Sequence, residues 1–309
     1  MLASIDIGSN TVRLLIAEQT GRSGLQPVLY ERRVTRLAGG LSEQHGLHPE
    51  AMDRTLAALV EFQDRCNTYQ VSSCQAVATA AFRHAVNGQV FADQISSQTG
   101  FPVTIIPGEE EARLTASGVL LALTDSPDNA LIFDIGGGST EFIHLQNGQL
   151  QWMDSLPLGV VRLCETCTSE TAALDAILEQ FRQLPSDLLA RAGAVTLVGT
   201  AGTVTSLAAM EMEMVQYDWR LINNAVLRRS SLNVLLARLQ RLTPAQREAL
   251  PGLEKGRGDL ILPGLQIVLA LLEAFRSDRL TVSDFGILEG VALQLAEGCF
   301  STDFPSAPN

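Results

Sequence analysis

The stretch that decides the fold is Ala130–Glu141, which reads Ala-Leu-Ile-Phe-Asp-Ile-Gly-Gly-Gly-Ser-Thr-Glu. Its apolar beginning, which ends at Asp134, predicts a buried strand. The next residues, Gly136, Gly137 and Gly138, predict a turn whose backbone can approach an anion without interference from a β-carbon. Two glycines between apolar strands are also typical of a plain hairpin, so this stretch alone leaves a phosphate loop and a hairpin turn equally open.

Hydroxyl and acidic side chains surround these glycines. Ser139 and Thr140 add hydroxyl donors for a phosphate, and Asp134 and Glu141 stand at the two ends of the loop. Carboxylates and phosphate oxygens commonly bind a divalent cation together. We therefore expect Asp134 and Glu141 to hold Mg²⁺, or another divalent cation, that is shared with a phosphate substrate.

A second version of the same pattern opens the chain. Residues 2–16 read Leu-Ala-Ser-Ile-Asp-Ile-Gly-Ser-Asn-Thr-Val-Arg-Leu-Leu-Ile, so the Asp-Ile-Gly sequence at 6–8 repeats the one at 134–136. In both places hydroxyl residues and another apolar strand follow. After the second copy, the Asn-Gly pair at 147–148 predicts a hairpin turn that leads to a third strand. This internal repeat predicts two related halves, each of which offers one loop to a ligand in the cleft between them.

Length and composition indicate a large globular chain. With 309 residues and 46% hydrophobic content, it can bury a substantial core, and its length favours two domains. The apolar runs are short and interrupted by charges, glycine or proline, and Met1 leads directly into a strand. We therefore expect neither a transmembrane helix nor a signal peptide, and we expect a cytoplasmic protein.

The formal net charge of −12 restricts the class of partner. Nucleic-acid binding depends largely on basic surface that neutralises phosphates, so DNA and RNA are disfavoured. We expect no membrane partner either, because no transmembrane helix is expected. A small polyanion is still compatible with this charge if arginines, backbone amides and a metal ion hold it locally. A homodimer is a possible assembly.

The cysteines indicate reduced thiols, because their number, five, is odd and they are scattered along the chain. Cys164 and Cys167 have the spacing of a redox or zinc pair. No second cysteine pair or nearby histidine completes a metal site, and the residues around them are predicted to be helical, which favours a structural interpretation.

Three consecutive glutamates, Glu109, Glu110 and Glu111, begin a predicted helix. Acidic residues in a first turn are commonly partners of the helix dipole. A carboxylate at the mouth of a cleft could also deprotonate a water that attacks phosphorus, and position alone does not select which glutamate would do so. Arg83, which follows a predicted strand, is well placed to reach into the same cleft, although an isolated arginine is more often a surface residue.

Residues 124–129 have the composition of an exposed connection. We therefore expect an N-terminal domain at 1–124 and a C-terminal domain at 125–309.

Taken together, these motifs resemble the exopolyphosphatase/guanosine pentaphosphate phosphohydrolase (Ppx/GppA) family, a branch of the actin-like, sugar kinase and Hsp70 ATPase superfamily. The resemblance covers nearly the whole chain. Its motifs are 6–14, 78–83, 110–113, 134–141, 156–163, 199–203, 251–259 and 283–290. Four positions depart from the family pattern: Thr11 stands where serine is usual, Ala201 where glycine is expected, and Phe285 and Leu288 where arginines are expected.

The resemblance implies an α/β protein of two ribonuclease-H-like (actin-like ATPase) domains, with mixed sheets flanked by helices and the active site in the interdomain cleft. It implies Glu111 as the general base and Arg83 as an arginine of the cleft that binds the substrate. It implies metal-associated acids at Asp134 and Glu141, and we add Asp6 to these. The remaining implied substrate contacts come from the two loops: Gly8, Ser9, Asn10, Thr11, Gly136, Gly137, Gly138, Ser139 and Thr140.

The function expected from this resemblance is metal-dependent release of terminal orthophosphate from inorganic polyphosphate. Conversion of pppGpp to ppGpp, by removal of the 5′ γ-phosphate of guanosine pentaphosphate, is a second expected reaction. Two alternatives share the same loops: an ATP-dependent kinase or ATPase of the superfamily, and a catalytically weak sensor that binds (p)ppGpp.

Overall fold

The computed structural model describes residues 1–20, 24–42, 44–167 and 169–299. Contacts within the chain divide it into two compact units. The first contains Met1–Leu121 together with residues 286–299, and the second contains Ala122–Phe285. Each unit has its own mixed sheet flanked by helices, which confirms the predicted α/β class with two mixed sheets.

The sheet of the first unit has five strands in the order β3-β2-β1-β4-β5. The strands β1, β2 and β3 form an antiparallel meander, and β4 and β5 continue the sheet parallel to β1. The bounds are β1 Leu2–Ile7, β2 Thr11–Thr20, β3 Gly24–Val34, β4 Ser73–Ala78 and β5 Val103–Ile105.

The second unit has a six-stranded sheet in the order β10-β11-β9-β6-β7-β8. It again begins with an antiparallel meander, β6-β7-β8, and continues with β9 and β11 parallel to β6, so the two sheets share one strand plan. The bounds are β6 Asn129–Ile135, β7 Thr140–Gln146, β8 Gln149–Leu156, β9 Thr196–Thr200, β10 Val226–Arg228 and β11 Arg279–Val282.

Helices cover both sheets, and their boundaries follow local sequence signals. Proline occupies the first helical position of α1, and Ser169 caps α6 by accepting a hydrogen bond from the N–H of Ala172 at 3.2 Å. The helices of the first unit are α1 Pro49–Thr68, α2 Ala80–His84, α3 Gly88–Thr99, α4 Gly108–Ala122 and α13 Ile287–Ala296. Those of the second are α5 Val160–Thr166, α6 Glu170–Phe181, α7 Ser186–Ala190, α8 Ala201–Glu211, α9 Trp219–Ile222, α10 Arg229–Leu239, α11 Pro244–Glu248 and α12 Ile261–Ala274.

The last helix, α13, belongs to the first unit, whereas the sequence-based division assigned all of 125–309 to the second. It lies on β1, β2 and β4. Its apolar face, Ile287, Val291 and Leu295, packs with Val77 and Leu114. The first sheet therefore buries this face with a helix that is distant in sequence, and helical periodicity alone does not say which sheet a helix covers.

The helix α12 is almost entirely apolar, and most of it is buried in the core of the second unit. Within the part of the chain that the structure describes, no helix is both long enough and apolar enough to cross a membrane.

Candidate active site

Each unit has a short turn between its first two strands, and the two turns have the same hydrogen bond. In the first unit the N–H of Gly8 donates to the carbonyl oxygen of Thr11 at 3.1 Å. In the second unit the N–H of Gly136 donates to the carbonyl oxygen of Ser139 at 2.9 Å. Both are hairpin turns, so their capacity to bind phosphate depends on where their other N–H groups point.

In the second unit, the carbonyl groups of the turn are held by the helix α5. The first three N–H groups of this helix, which begins at Val160, donate to the carbonyl oxygens of Gly136 and Gly137 at distances of 3.0, 2.9 and 3.1 Å. The side chain of Arg162 adds a bond from Nε to the carbonyl oxygen of Gly138 at 3.1 Å. All three glycine carbonyls are therefore bonded to α5.

The N–H groups of the turn point the other way. The C=O and N–H of a trans peptide have opposite directions, so the N–H groups of Gly137, Gly138 and Ser139 point away from α5. No intramolecular acceptor for these three groups occurs among the described residues. Successive N–H groups of this kind form a concave site for an anion.

Glycine is required for space where α5 meets the turn, above all at Gly159, which precedes the helix. None of Gly136, Gly137 and Gly138 has a positive φ. A β-carbon at Gly137 would lie 3.3 Å from Cγ2 of Val161, and one at Gly159 would lie only 2.3 Å from the carbonyl oxygen of Gly137. The absence of β-carbons is therefore what lets α5 approach the turn.

A row of side chains crosses the second sheet next to this turn. Asp134 on β6 lies opposite Glu141 on β7, which in turn lies opposite Ser155 on β8. The Oε1 atom of Glu141 accepts hydrogen bonds from the hydroxyls of Ser139, at 2.5 Å, and Ser155, at 2.8 Å. Its other oxygen, Oε2, lies 3.9 Å from the position that a β-carbon would take at Gly136, so it is near the glycine turn.

The donor set at Asp134 and Glu141 fits the predicted cation. Like charges directly opposite on neighbouring strands repel, and a cation bound between them would compensate this repulsion. In the described ranges, no group of three or more His, Cys, Asp or Glu side chains could hold a metal. Two carboxylates are nevertheless sufficient for Mg²⁺, which keeps several waters and takes further oxygens from substrate phosphates.

The turn of the first unit is held by a loop in place of a helix. The carbonyl oxygens of Ser9 and Asn10 accept hydrogen bonds from the N–H groups of Thr35, Arg36 and Ala38 at distances of 3.0, 2.9 and 2.8 Å. The N–H of Asn10 consequently points away from this loop. The turn of the first unit thus has the same relation between carbonyls and N–H groups as that of the second, built from different elements.

Asp6 occupies the position in the first unit that Asp134 occupies in the second, but its partner differs. Its neighbour across the hairpin is Arg13, which donates from Nε and Nη2 to Oδ2 of Asp6 at 2.9 and 2.7 Å. Asp6 is buried, and the guanidinium compensates its charge. Metal binding by Asp6 stays a prediction.

The three glutamates that begin α4 have different partners. Glu109 forms an exposed ion pair with Arg113, and Glu110 accepts a hydrogen bond from the side chain of Gln294 at 3.4 Å. Glu111 pairs with Arg83, whose Nη1 lies 2.8 Å from Oε2. The structure therefore distinguishes Glu111 from its neighbours, which position in the sequence did not do.

The Arg83 side chain is fixed by two contacts. Its Nη1 also donates to the carbonyl oxygen of Ile106 at 2.9 Å, next to the start of α4. Both members of the Arg83–Glu111 pair are partly exposed, at 26% and 33% of their side chains. A carboxylate held at this exposure is accessible to water and to substrate.

Thr140, which was expected to contact the substrate, has its side chain inside the second unit. It is fully buried, and its hydroxyl donates to the carbonyl oxygen of Leu158, because β7 directs this side chain into the unit and away from the turn.

Cys164 donates its thiol to the carbonyl oxygen of Asp259 at 3.6 Å. Desolvation, aided by the Asp259 charge, raises the pKa of this thiol. A raised pKa disfavours the reactive thiolate, which agrees with a structural interpretation of the Cys164 and Cys167 pair.

At three of the four positions that depart from the family pattern, the structure shows the backbone conformation or the packing of the residue. Ala201 has a φ of 60°, a left-handed conformation that glycine adopts without strain. Phe285 is buried against Trp219, with ring centroids 5.2 Å apart. Leu288 packs in an apolar cluster with Leu15. The two positions where arginines were expected are therefore part of apolar packing.

The sequence did not indicate Ser155 as a site residue, because the pairing of β7 with β8 differs from the one that the turn between them predicts. Counting back from the turn predicted at 147–148 would place Asp154 opposite Glu141. The register of β7 and β8 shifts by one residue after His144, so that Ser155 takes this place. A bulge of this kind has no clear signal in the sequence here, since no glycine or proline marks it.

Comparison with known proteins identifies one family model and several relatives that match nearly the whole chain. The model of the Ppx/GppA phosphatase family matches residues 15–298. The chain is 33% identical over 319 residues to Exopolyphosphatase 2 from Mycobacterium tuberculosis, covering 96% of this chain and 98% of that protein. It is 32% identical over 311 residues to a guanosine-5'-triphosphate,3'-diphosphate pyrophosphatase from Photobacterium profundum, covering 96% of this chain and 59% of that protein.

Solved structures share the same fold. A Ppx/GppA family member from Aquifex aeolicus superposes with a TM-score of 0.84 at 29% identity, over 97% of this chain and 99% of that one. An exopolyphosphatase from Cytophaga hutchinsonii superposes with a TM-score of 0.79 at 26% identity, over 96% and 98% of the two chains. The two-domain actin-like fold expected from the sequence is therefore confirmed.

Proposed function

Because the chain belongs to the Ppx/GppA phosphatase family, we propose that it is a phosphohydrolase that releases terminal orthophosphate from inorganic polyphosphate. Removal of the 5′ γ-phosphate of guanosine pentaphosphate is its second reaction, since a relative with 32% identity is a guanosine-5'-triphosphate,3'-diphosphate pyrophosphatase. Both reactions hydrolyse a phosphoanhydride at the end of a polyanion, so one set of groups can serve both.

The observation that carries this proposal is the direction of the N–H groups at the turn of the second unit. Three consecutive N–H groups, those of Gly137, Gly138 and Ser139, lack an internal acceptor in the described chain, while the glycine carbonyls are bonded to α5. The phosphoryl oxygens of a terminal phosphate are the acceptors that such a concavity fits. In the turn of the first unit, the N–H of Asn10 likewise points away from the loop that holds the carbonyl groups.

The reaction assigns one role to each residue. A water molecule attacks the terminal phosphorus, and Glu111 accepts the proton that this water loses. The bond between phosphorus and the bridging oxygen breaks, and the bridging oxygen keeps the electron pair. Arg83 holds Glu111 in place through Nη1, so its guanidinium is a positive charge directly beside the base. The N–H groups of the turn stabilise the charge on the phosphoryl oxygens.

Asp134 and Glu141 would hold Mg²⁺ at the end of β6 and the start of β7. When bound, this ion supplies positive charge to the phosphate oxygens, as in other phosphoryl-transfer sites. The two carboxylates are responsible for keeping it next to the turn. Asp6 is paired with Arg13, so any contribution of Asp6 to binding the ion would be indirect.

Phosphate release from polyphosphates of graded length, guanosine pentaphosphate and ATP, measured in parallel with Mg²⁺, tests the function. We expect release from polyphosphate and guanosine pentaphosphate and little release from ATP. Release from ATP alone would contradict the proposal and favour an ATPase of the same superfamily. Binding of guanosine nucleotides without any release would favour a sensor.

The metal requirement is tested separately. We expect Asp134→Asn to raise the Mg²⁺ concentration needed for half-maximal activity, because it removes one of the two anionic ligands. We expect exhaustive chelation to abolish phosphate release by the unmodified protein. Full activity after chelation would show that the metal assignment is wrong.

A further inference from the structure

We propose that Ser155 is a positioning residue, which orients Glu141 so that one defined oxygen of this carboxylate faces the bound cation. This inference rests on the proposed function, because it requires that Glu141 is a metal ligand. Ser155 lies on β8, outside the glycine turns and outside the three consecutive glutamates.

The hydrogen bonds at Glu141 are unequal. Both hydroxyl donors, Ser139 and Ser155, bond to the same oxygen, Oε1, at 2.5 and 2.8 Å. The other oxygen, Oε2, is the one near Gly136. The two hydroxyls therefore hold Oε1, whereas Oε2 accepts no hydroxyl bond among the described contacts and lies near Gly136.

Fixing one oxygen is expected to raise the affinity for the metal. A carboxylate that is already oriented loses less side-chain freedom when it binds an ion. Groups that hydrogen-bond to metal-ligating carboxylates typically change metal affinity or activity by about 10- to 100-fold when they are removed. Ser155 thus has the geometry of such a supporting donor.

The bulge in the β7–β8 hairpin is what supplies a donor at this position. Without the register shift after His144, the residue opposite Glu141 would be Asp154. A third carboxylate there would repel Glu141 and could offer no proton at neutral pH. With the shift, the hydroxyl of Ser155 is opposite Glu141, and it donates.

A purely structural role for Ser155 would be weak. The residue is exposed and lies on β8, at the edge of the six-stranded sheet. Removing its hydroxyl leaves no buried polar group unpaired and opens no core cavity, so Ser155→Ala should fold normally. Ser155→Thr keeps the hydroxyl and suits a strand position.

The test measures binding of Mn²⁺, as a paramagnetic substitute for Mg²⁺, by electron paramagnetic resonance in the absence of substrate. We expect Ser155→Ala to raise the dissociation constant by about tenfold, the lower end of the range for supporting donors, because Ser139 still bonds to Oε1. Ser155→Thr should bind Mn²⁺ as the unmodified protein does. As a control, Ser231→Ala removes a hydroxyl that bonds to the carbonyl oxygen of Arg228, away from the acids, and should have no effect.

A Glu141→Gln variant distinguishes a failure of the positioning role from a failure of the metal site. If Glu141→Gln weakens Mn²⁺ binding and Ser155→Ala does not, the positioning role is wrong and the metal site stands. If Glu141→Gln leaves Mn²⁺ binding unchanged, the metal site itself is wrong and the positioning role is lost with it. Equal weakening of Mn²⁺ binding by Ser155→Ala and Ser155→Thr would also overturn the inference, since the loss of affinity would then not depend on the hydroxyl.

Discussion

At the scale of single residues, the ion pair between Arg83 and Glu111 gives one of three neighbouring glutamates a distinct environment. Its neighbours have other partners: Glu109 pairs with Arg113, and Glu110 accepts a hydrogen bond from Gln294. The chemical role of each glutamate can therefore be tested by the same conservative change.

We expect Glu111→Gln to reduce turnover by roughly two orders of magnitude or more, since general base catalysis typically contributes that much. Thermal unfolding and substrate binding should be close to those of the unmodified protein. Initial rates of phosphate release at saturating substrate measure the effect. The matched variants Glu109→Gln and Glu110→Gln should be much milder, and near-normal turnover of Glu111→Gln would remove it from the mechanism.

Ala201 has a left-handed backbone conformation, which is strained for a residue that carries a β-carbon. The left-handed conformation costs a residue with a β-carbon about 1–2 kcal/mol. Glycine avoids this cost, but it increases the conformational entropy of the unfolded chain, which lowers the stability by about 0.4–1 kcal/mol. We therefore expect Ala201→Gly to stabilise the protein by ~1 kcal/mol in denaturant unfolding. The reverse sign is expected for Ala57→Gly, at an exposed position in the middle of α1, which should cost about 1 kcal/mol. Destabilisation by both changes would show that the strain at Ala201 is absent in solution.

At the scale of elements, the contact between α5 and the turn of the second unit determines where the N–H groups point. This contact depends on Gly159, which precedes the helix. A β-carbon there would overlap the carbonyl oxygen of Gly137, so α5 and the turn cannot both keep their places.

We expect Gly159→Ala to destabilise the protein by about 1–3 kcal/mol, as overpacking usually does, and to reduce phosphate release strongly. Unfolding by urea and steady-state rates measure the two effects. Gly193→Ala is the control, because a β-carbon at Gly193 would meet no atom within 4 Å. An active, fully stable Gly159→Ala variant would mean that α5 does not need to contact the turn.

The elements themselves were largely predictable from the sequence, whereas their partners were not. Apolar runs and the Asn-Gly turn at 147–148 predicted β6, β7 and β8, and all three are present. The one-residue register shift after His144 depends on how the strands pair in three dimensions, so Ser155 was not identified. The placement of α13 on the first sheet likewise depends on tertiary packing.

The candidate site was predictable as a set of residues and only partly as a set of contacts. The repeated Asp-Ile-Gly sequence indicated the two turns, and the acids at 134 and 141 indicated the paired carboxylates. Nothing in the local sequence said that Arg13 would compensate Asp6, or that Thr140 would be buried. These outcomes depend on neighbours across the sheet.

At the scale of the whole molecule, charge limits how firmly a polyanion can be held. The chain has a net charge of −12, and the arginines near the motifs are already engaged. Arg83, Arg113 and Arg257 form ion pairs with glutamates, and Arg162 bonds to Gly138. These side chains would have to give up existing partners in order to hold a long polyphosphate beyond its terminal phosphates.

We expect distributive hydrolysis, in which the product is released after one or a few cleavages, because each phosphate contact adds salt-sensitive affinity and few such contacts are available. A chase experiment with long labelled polyphosphate should show the whole population shortening gradually. The competing behaviour, full-length chains coexisting only with very short products and orthophosphate, would contradict this prediction. Added salt should weaken substrate binding without changing the product pattern.

The two units differ most informatively in the residue that faces the strand-end aspartate across the hairpin. It is Arg13 in the first unit and Glu141 in the second. For a chain that repeats one architecture, this single position separates the copy whose aspartate faces an arginine across the hairpin from the copy whose aspartate faces a second acid, the pair proposed here to share a cation. Because the position follows the aspartate at the same short interval in both copies, the half of a duplicated relative that carries facing acids can be found in one unaligned sequence.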